Sequence, residues 1–415
     1  MTATSEFDPA LVAAIDVNDP AFIADPYPAL GRLREATPIA FDERHAMWWL
    51  TRFDDVQAML RDSRFGRQYR HRYDDAAFGQ PPTDDRWTAL AGHERWSLFN
   101  LEPPEHTRLR RLIAKVFTPR AVHDMADHVG AVSDRLLDGL VEHAHFDVIA
   151  DYGQPFSLSV ICSMLGVPNE ATGQVLAWSH DIVRMFEADK TDAARRRAEA
   201  AAAAFTSFVH SLIAEKRRNP DEGLVSRLVQ VSDDGEQLTE PEIVSTTMVL
   251  LEAGHEATVN SLGNGIVALA AHPEQYAALV RGEADPERAV EEMMRFDPAT
   301  QLFARWVLDP GVEIAGQPLP VGSQVGALFG AAQRDPRRFD APDQFDVSRA
   351  DVMGHLGFGA GIHHCLGASL ARLELTTALQ GLTARLRHLA VEHAVDLQPT
   401  FVLRGRTAVM VAGRG

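Results

Sequence analysis

The sequence predicts a mainly α-helical fold with small β-sheets, because helical patterns cover its middle and strand patterns are short. Residues 125–230 are helical in pattern and rich in alanine, the strongest helix former. A second helical pattern follows, with periodic apolar residues from Thr239 to Ala271. Two short apolar stretches, Met47–Leu50 and Leu302–Val307, are typical of strands. Helices therefore outweigh strands in the predicted fold.

The composition is that of a globular protein with a sizeable core, with 46% hydrophobic and 7% aromatic residues. The 40 basic side chains against 58 acidic ones give a net charge of −18, which argues against nucleic acid or an anionic membrane as the main partner. Because Cys162 and Cys365 are the only cysteines, a disulfide framework is excluded and a reducing cytoplasm is favoured. The sequence shows neither a leader peptide nor a run of roughly 20 apolar residues, so we expect a cytoplasmic protein with no membrane contact.

The segment from His355 to Glu374 places Cys365 between a glycine-rich approach and an amphipathic helical pattern. Glycines let a loop approach a flat ligand closely or adopt positive φ. A cysteine at a helix N-terminus is stabilised as the thiolate by the helix dipole. A thiolate in a glycine-lined loop is suited to ligate heme iron from beneath.

Three other interpretations of this segment are open from its residues alone. A lone cysteine is most often a small buried hydrophobic residue. His363, His364 and Cys365 suggest zinc, although three adjacent residues do not complete a tetrahedral site. Gly357, Gly359 and Gly361 suggest a nucleotide-binding loop, although no apolar strand leads into them and no G-x-G-x-x-G follows. None of the three explains the whole segment.

The long helical pattern begins with a capping box at residues 239–242, and its length corresponds to about 45 to 50 Å of helix. Its middle carries Gly254 and Glu256 in an apolar setting, where both residue types cost stability and so indicate function. The alternative is a helix packed closely at Gly254, with Glu256 paired to an arginine.

Two further pairs are informative through their helical spacing. His106 and Arg110 are four residues apart and so share a helix face able to bind carboxylates, although a solvated basic face is the commoner outcome. Glu292 and Arg295 are three apart, which alone is also common on helix surfaces.

From about Asp25 to the C-terminus, these landmarks follow the order of the cytochrome P450 family, which the sequence closely resembles. The heme signature of that family is F-x-x-G-x-H/R-x-C-x-G, and its five fixed positions are filled by Phe358, Gly361, His363, Cys365 and Gly367. The resemblance implies one cytochrome P450 domain over residues 1–415, with a long central helix over heme b (iron protoporphyrin IX) and the cysteine loop below. It also implies that Cys365 is the metal ligand.

The resemblance assigns cofactor-binding and catalytic positions along the chain. The cofactor-binding positions are His106, Arg110, Ala253, Gly254, Arg305, Phe358, Gly359, His363, Cys365 and Gly367. Of these, His106, Arg110, Arg305 and His363 correspond to groups that hold the heme propionates. The family motif A/G-G-x-D/E-T delivers protons through an acid and an alcohol. Glu256 matches the acid, but the alcohol position is Ala257, and Thr258 lies about 100° around the helix.

In the family, the E-x-x-R pair formed here by Glu292 and Arg295 is buried and has a third, basic member. These three residues brace the heme-binding core in the family. The usual position of the third residue holds Gln344 here, so we consider Arg349 as the candidate for the third member of this brace. Family positions also predict a substrate pocket, although several of these residues fit a core or loop-anchoring role equally well. The pocket candidates are Trp96, Phe99, Met185, Phe186, Leu250, Thr300, Gln301, Leu302, Phe401 and Val402.

The implied function is a heme-thiolate monooxygenase that uses O2 to hydroxylate or otherwise oxidise a small organic substrate. Because no flavin or iron–sulfur module is fused to the chain, electrons would come from NAD(P)H through a separate ferredoxin and ferredoxin reductase. Arg108, Arg111 and Lys115 form one basic helix face that would attract an acidic ferredoxin. Ala257 predicts a substrate with a polar group near the oxidised carbon. The alternatives are a heme-thiolate enzyme for peroxide-driven oxidation, coupling or rearrangement, and a heme-binding sensor.

Overall fold

The computed structural model describes residues 9–82, 84–233, 235–392 and 397–413. Within them, the predicted mainly α-helical fold with small sheets is confirmed. The α-helices are α1 (Ala10–Ala13), α2 (Pro20–Ala24), α3 (Tyr27–Ala36), α4 (Phe53–Arg61), α5 (Thr88–Trp96), α6 (Glu105–Val116), α7 (Pro119–His123), α8 (Ala126–Leu140), α9 (Gln154–Leu165), α10 (Thr172–Val183), α11 (Asp192–Arg218), α12 (Leu224–Gln230), α13 (Glu240–Ala271), α14 (Pro273–Val280), α15 (Pro286–Phe296), α16 (Phe329–Ala332) and α17 (Ala368–Arg385).

The strands are short, and most of those in the named sheets run antiparallel. They are β1 (Ile39–Asp42), β2 (Met47–Leu50), β3 (Phe65–Gly66), β4 (His145–Asp147), β5 (Ser232–Asp233), β6 (Glu236–Gln237), β7 (Leu302–Val307), β8 (Val312–Ile314), β9 (Gln317–Leu319), β10 (Gln324–Leu328) and β11 (Met410–Ala412). The largest sheet has the order β1-β2-β10-β7-β3, in which only the β10–β2 pair is parallel. β2 and β7 coincide with the two stretches that the sequence predicts as strands.

The chain divides into two compact units, each built from separate segments. The first unit comprises the described residues of Met1–Gln80, Asn260–Ala368 and Leu382–Ala412, and the second those of Pro81–Val259, Ser369–Gly381 and Gly413–Gly415. The expectation of one domain over residues 1–415 stays a prediction.

The core of the first unit packs one face of the five-stranded sheet against nearby helices. Leu50 of β2 and Val325 of β10 are fully buried there, together with Val56 of α4. Phe53 and Phe339 meet edge to face with ring centroids 5.5 Å apart, a favoured aromatic geometry. This core supports the strand that carries Arg305.

The capping box and the end of α13 are confirmed. The Glu242 carboxylate accepts a hydrogen bond from the backbone N–H of Thr239 at 2.8 Å, which satisfies a donor at the helix start. The helix runs for 32 residues and ends at Ala271, before His272 and Pro273.

Residues 66–100 show no periodic pattern in the sequence, and the structure contains α5 within them. The N–H groups of Ala89 and Leu90, at the start of that helix, donate to the Glu199 carboxylate of α11 at 2.8 and 2.9 Å. A carboxylate at a helix N-terminus satisfies exposed donors and interacts favourably with the helix dipole. The cap comes from about 110 residues away in sequence, so local periodicity did not reveal this helix.

Within the described ranges, no helix is both long enough and apolar enough to cross a membrane.

Candidate active site

The cysteine loop of the first unit is turned by glycines in the left-handed region. Gly359 and Gly361 have φ values of 68° and 72°, which other residues adopt only with strain. A Cβ at Gly361 would also collide with the Leu60 carbonyl oxygen. The Cys365 N–H donates to the Phe358 carbonyl at 2.9 Å, which closes the loop three residues before α17 begins.

The two cysteines of the chain differ in accessibility. Cys365 is exposed, whereas Cys162 is fully buried within α9. Burial raises the pKa of the Cys162 thiol to about 12, which keeps it protonated and inert. Cys365 is therefore the cysteine that offers an accessible sulfur to a metal.

The cysteine loop is anchored to α15 by an interaction that the sequence analysis missed. His355 is buried, and its Nε2 lies 2.8 Å from the Glu291 carboxylate. The N–H of Gly357 donates to the His355 Nδ1 at 2.9 Å, so Nε2 carries the proton and donates to Glu291. The Phe358 ring lies 5.9 Å from the His355 ring, which extends this anchor toward the cysteine.

Glu292 and Arg295 form a buried, bidentate ion pair in α15. Arg295 donates to the two carboxylate oxygens of Glu292 at 2.6 and 2.8 Å, and both side chains are fully buried. Arg349 adds its Nε at 3.1 and 3.2 Å from the same carboxylate. Gln344 contributes only its carbonyl oxygen, which accepts from both arginines. One carboxylate is thus shared by two guanidinium groups.

Arg305 lies on β7 of the first unit and is 3% exposed. Its guanidinium stacks over the Phe303 ring at 4.5 Å, a cation–π geometry. It also donates to the Ala304 carbonyl at 3.2 Å. His363, on the cysteine loop, is half-buried at the end of a short 3₁₀ turn, Gly361–His363.

In the second unit, α6 carries His106 and Arg110 one turn apart, the former buried and the latter half-buried. Two of the three side chains of the predicted basic face are ion-paired. Arg108 is paired with Glu242, and Arg111 lies 2.6 Å from Glu236. Acidic side chains near the start of α13 thus reduce the positive charge of this face, and its attraction for a ferredoxin stays a prediction.

The middle of α13 has one packed face and one open face. At Gly254, a Cβ would lie 2.8 Å from the Ile161 side chain, so the close-packing interpretation of this glycine is correct. Ala253 and Ala257, one turn apart, are exposed although their neighbours His255 and Thr258 are buried. The open face thus presents small side chains, and the buried Thr258 hydroxyl is not on it.

Glu256 is paired with histidines rather than with an arginine. Its Oε2 lies 3.4 Å from the His180 Nε2 of α10 and 3.7 Å from the His255 Nε2. Burial raises the pKa of the Glu256 carboxyl, but the interactions with His180, His255 and Arg184 outweigh it and hold the pKa below its ordinary value. The carboxyl is therefore ionised at neutral pH, and the sequence pattern gave no sign of its α10 partner.

A second histidine–carboxylate pair lies one turn before Glu256 on α13. The Glu252 carboxylate is 3.2 Å from the His93 Nε2, and both side chains are buried. Burial lowers the pKa of His93, but the charge of Glu252 outweighs it and the net shift is upward. The Ser245 hydroxyl donates to the His93 carbonyl at 2.8 Å and fixes α5 against α13.

Glu374 of α17 is a fully buried carboxyl within the second unit. Burial raises its pKa to about 8 from an ordinary value of 4.5, and the nearby Ser157 hydroxyl opposes this rise only weakly. The group is therefore protonated in the folded protein at neutral pH.

We expect the free energy of unfolding to fall as the pH rises from 4.5 to 8, by up to about 1.4 kcal/mol per pH unit from Glu374 alone. The unfolded chain releases this proton above pH 4.5, whereas the folded protein retains it until about pH 8. Glu374→Gln should flatten this decline in denaturant unfolding measured from pH 5 to 8. The exposed Glu170→Gln variant is the control. An equal pH slope in the two variants would show that Glu374 is not a buried acid.

The pocket candidates fall into two groups. In the second unit, Phe99 and Phe186 meet edge to face with centroids 5.3 Å apart, and Phe186 is exposed. Met185 and Leu250 are buried, and the half-buried Trp96 stacks with the Arg95 guanidinium.

In the first unit, one pocket candidate is wrong. Gln301 is fully buried, and its amide donates to the Pro298 carbonyl at 2.8 Å and to the Tyr27 hydroxyl at 3.2 Å. A buried amide needs such partners, so Gln301 belongs to a structural hydrogen-bond network rather than to a substrate surface. The remaining candidates are Thr300, half-buried; Leu302 and Val402, buried; and Phe401, packed against Phe22 at 5.1 Å.

The sequence matches the family model for cytochrome P450 over residues 74–283 and 287–408, which is more than half of the chain. The chain belongs to the cytochrome P450 family. Vitamin D(3) 25-hydroxylase of Pseudonocardia autotrophica is 36% identical over 92% of this chain and 91% of that protein. Cytochrome P450 monooxygenase PikC of Streptomyces venezuelae is 34% identical over 95% of this chain and 92% of that protein.

Solved structures of the family share the fold. The crystal structure of P450BioI, in complex with an acyl carrier protein ligated to hexadec-9Z-enoic acid, superposes with a TM-score of 0.88 at 30% identity. It covers 95% of this chain and 100% of that chain. The protein is accordingly a heme-thiolate monooxygenase that uses heme b, receives electrons from redox partners and oxidises a small organic substrate with O2.

Features of each unit fit heme b. In the first unit, the exposed Cys365 thiol stands on a loop turned by Gly359 and Gly361. In the second, the face of α13 that carries Ala253 and Ala257 is exposed and lacks bulky side chains. Thiolate ligation is the donor chemistry of this class of heme protein.

Proposed function

We propose that Cys365 would hold the heme iron through its sulfur and that Glu256 would carry protons for the reaction with O2. The observation that carries the first assignment is the accessible Cys365 sulfur on a glycine-turned loop. Cys162, in contrast, is buried and inert. When bound, heme supplies the redox chemistry that activates O2, favoured by electron density from a thiolate ligand.

The chain's own residues would bind the cofactor and move the protons. Basic and hydrogen-bonding side chains suit the propionates, and we assign His106 and Arg110 in the second unit and Arg305 and His363 in the first. Glu256 is ionised and 12% exposed, so it is able to accept a proton from solvent and pass it on. The His180 imidazole, 3.4 Å away and 44% exposed, links this carboxylate to the outside.

We propose a ferredoxin and its reductase as the source of electrons from NAD(P)H, and the cytoplasm as the location. The presence of just two cysteines, one of them buried, supports a reducing compartment. Because Arg108 and Arg111 of α6 are ion-paired with Glu242 and Glu236, the predicted basic face offers an acidic ferredoxin less positive charge than its sequence indicates.

The substrate carries a polar group near the oxidised carbon. Ala257 stands on the open face of α13 at the position of the family's alcohol and offers no hydrogen bond. Thr258 is 8% exposed and lies around the helix, so it does not replace that hydroxyl. A hydroxyl or amide held on the bound substrate would then complete the proton path from Glu256.

Ala257→Thr is expected to improve the coupling of NAD(P)H consumption to product several-fold for a purely hydrocarbon surrogate. A substrate with a polar group beside the oxidised carbon should gain little, because its own group already orders the path. Substrates are identified first by their conversion of the ferric heme from low to high spin. Product and NAD(P)H are then measured in turnover with a surrogate ferredoxin and reductase.

Equal improvement with both substrates would contradict the substrate-assisted path and favour ordered water. Ala257 also keeps open a peroxide-driven oxidation, coupling or rearrangement, since alcohol-assisted proton delivery is missing. Product formation with peroxide alone, and none with the ferredoxin system, would establish that alternative. If the protein binds heme but forms no product with peroxide or with the ferredoxin system, it is a heme-binding sensor.

A further inference from the structure

Three potential metal ligands converge where α10 meets the middle of α13. His180, His255 and Glu256 each place one ligand atom within 4.8 Å of the others, all inside the second unit. The Glu256 Oε2 is 3.4 Å from the His180 Nε2 and 3.7 Å from the His255 Nε2. In a tetrahedral zinc site, ligand atoms stand about 3.3 to 3.5 Å apart, so the two distances from Glu256 are already close to those of a zinc site, and the two imidazole nitrogens start within 4.8 Å of each other.

The orientation of the His255 ring adds an independent observation. Its Nδ1 is 2.8 Å from the Leu251 carbonyl, which only accepts, so Nδ1 carries the proton in the neutral ring. The other nitrogen, Nε2, then presents its lone pair toward Glu256 and has no hydrogen-bond partner. The side chain is 1% exposed. A backbone carbonyl that fixes the opposite nitrogen is the usual support of a metal-binding histidine.

Two electron-rich atoms therefore face each other within the protein. A divalent cation placed between these two atoms would be ligated by both of them.

We propose that His180, His255 and Glu256 form a binding site for a divalent transition-metal cation, with Zn²⁺ as the preferred ion and water as the fourth ligand. Two imidazoles and one carboxylate suit zinc, whereas Mg²⁺ and Ca²⁺ prefer oxygen ligands. The half-exposed His180 gives the ion a path from solvent.

The site has a consequence for turnover, which rests on the proposed role of Glu256. A carboxylate bound to a cation no longer accepts and releases protons freely, so bound zinc slows the monooxygenase reaction. The cation also clips α10 to α13, because His180 belongs to the first helix and the other two ligands to the second.

The direct test is titration of the ferric holoenzyme with Zn²⁺ by calorimetry, with zinc-edge X-ray absorption to count imidazole ligands. We expect one site with two imidazoles. His180→Ala and His255→Ala should each weaken it by about 100-fold or more, since each removes a direct ligand, and loss of a mere supporting group already costs 10–100-fold. His210→Ala is the matched control, because His210 pairs with Glu240 at 2.9 Å on the surface and should leave affinity unchanged.

If His180→Ala binds Zn²⁺ as tightly as the wild type does, the proposed site is wrong. Because His180 is half-exposed, this variant keeps the test valid even if His255→Ala fails to fold. A single-imidazole spectrum would overturn it as well. Turnover is measured separately. Zinc binding at two imidazoles without slower turnover would retain the site but remove both its inhibitory role and the proton-carrying role of Glu256. If Zn²⁺ still inhibits turnover of His180→Ala, the inhibition arises from zinc bound at another site.

Discussion

Glu292→Gln is expected to lower the free energy of unfolding by about 3–5 kcal/mol and to weaken retention of heme. The Glu292 carboxylate is fully buried and shared by Arg295 and Arg349 at 2.6–3.2 Å. It also accepts from the Asp346 N–H at 3.0 Å. Glutamine keeps the shape but removes the charge, so two buried guanidinium groups lose their counter-ion.

Denaturant unfolding followed by tryptophan fluorescence, with heme retention followed by Soret absorbance, measures this effect. The control is Glu283→Gln, which removes a carboxylate from the exposed ion pair with Arg281 and should cause no measurable change. If Glu292→Gln and Glu283→Gln unfold alike, the buried brace is not what stabilises this part of the chain.

Cys365→Ser is expected to reduce monooxygenase turnover to background while leaving the fold intact. The loop is closed through the Cys365 backbone N–H, which serine also provides, and oxygen is smaller than sulfur, so the substitution disturbs little of the loop. A serine hydroxyl stays neutral at pH 7 and donates far less electron density to iron than a thiolate does. Cys162→Ser is the matched control. It buries a hydroxyl inside α9 at a cost of about 1–3 kcal/mol, but it should leave turnover per folded molecule unchanged.

Features determined by neighbouring residues were predictable from the sequence. The capping box sets the start of α13 through a contact between Thr239 and Glu242, three residues apart. Strand β7 follows from its own short run of apolar residues, and its bounds agree with the prediction. The order of the cytochrome P450 motifs along the chain predicted the other landmarks. One of them is Arg349, which the structure places beside Glu292.

Features determined by distant residues were not predictable in this way. Helix α5 is capped by Glu199 of α11. Gln301 is buried because Tyr27, far away in sequence, provides its partner. The sequence predicts Glu256 as a functional acid, but its environment depends on His180 of α10. A single sequence contains no periodic signal for such pairings, since they arise only when separate helices pack.

The most direct test of the account is the absorption spectrum of the ferrous carbonyl complex, recorded for the wild type, Cys162→Ser and Cys365→Ser. Thiolate ligation by Cys365 predicts the red-shifted Soret band in the wild type and in Cys162→Ser, and its loss in Cys365→Ser with heme still present. A red-shifted band that survives in Cys365→Ser would contradict the assignment of Cys365 as the axial ligand.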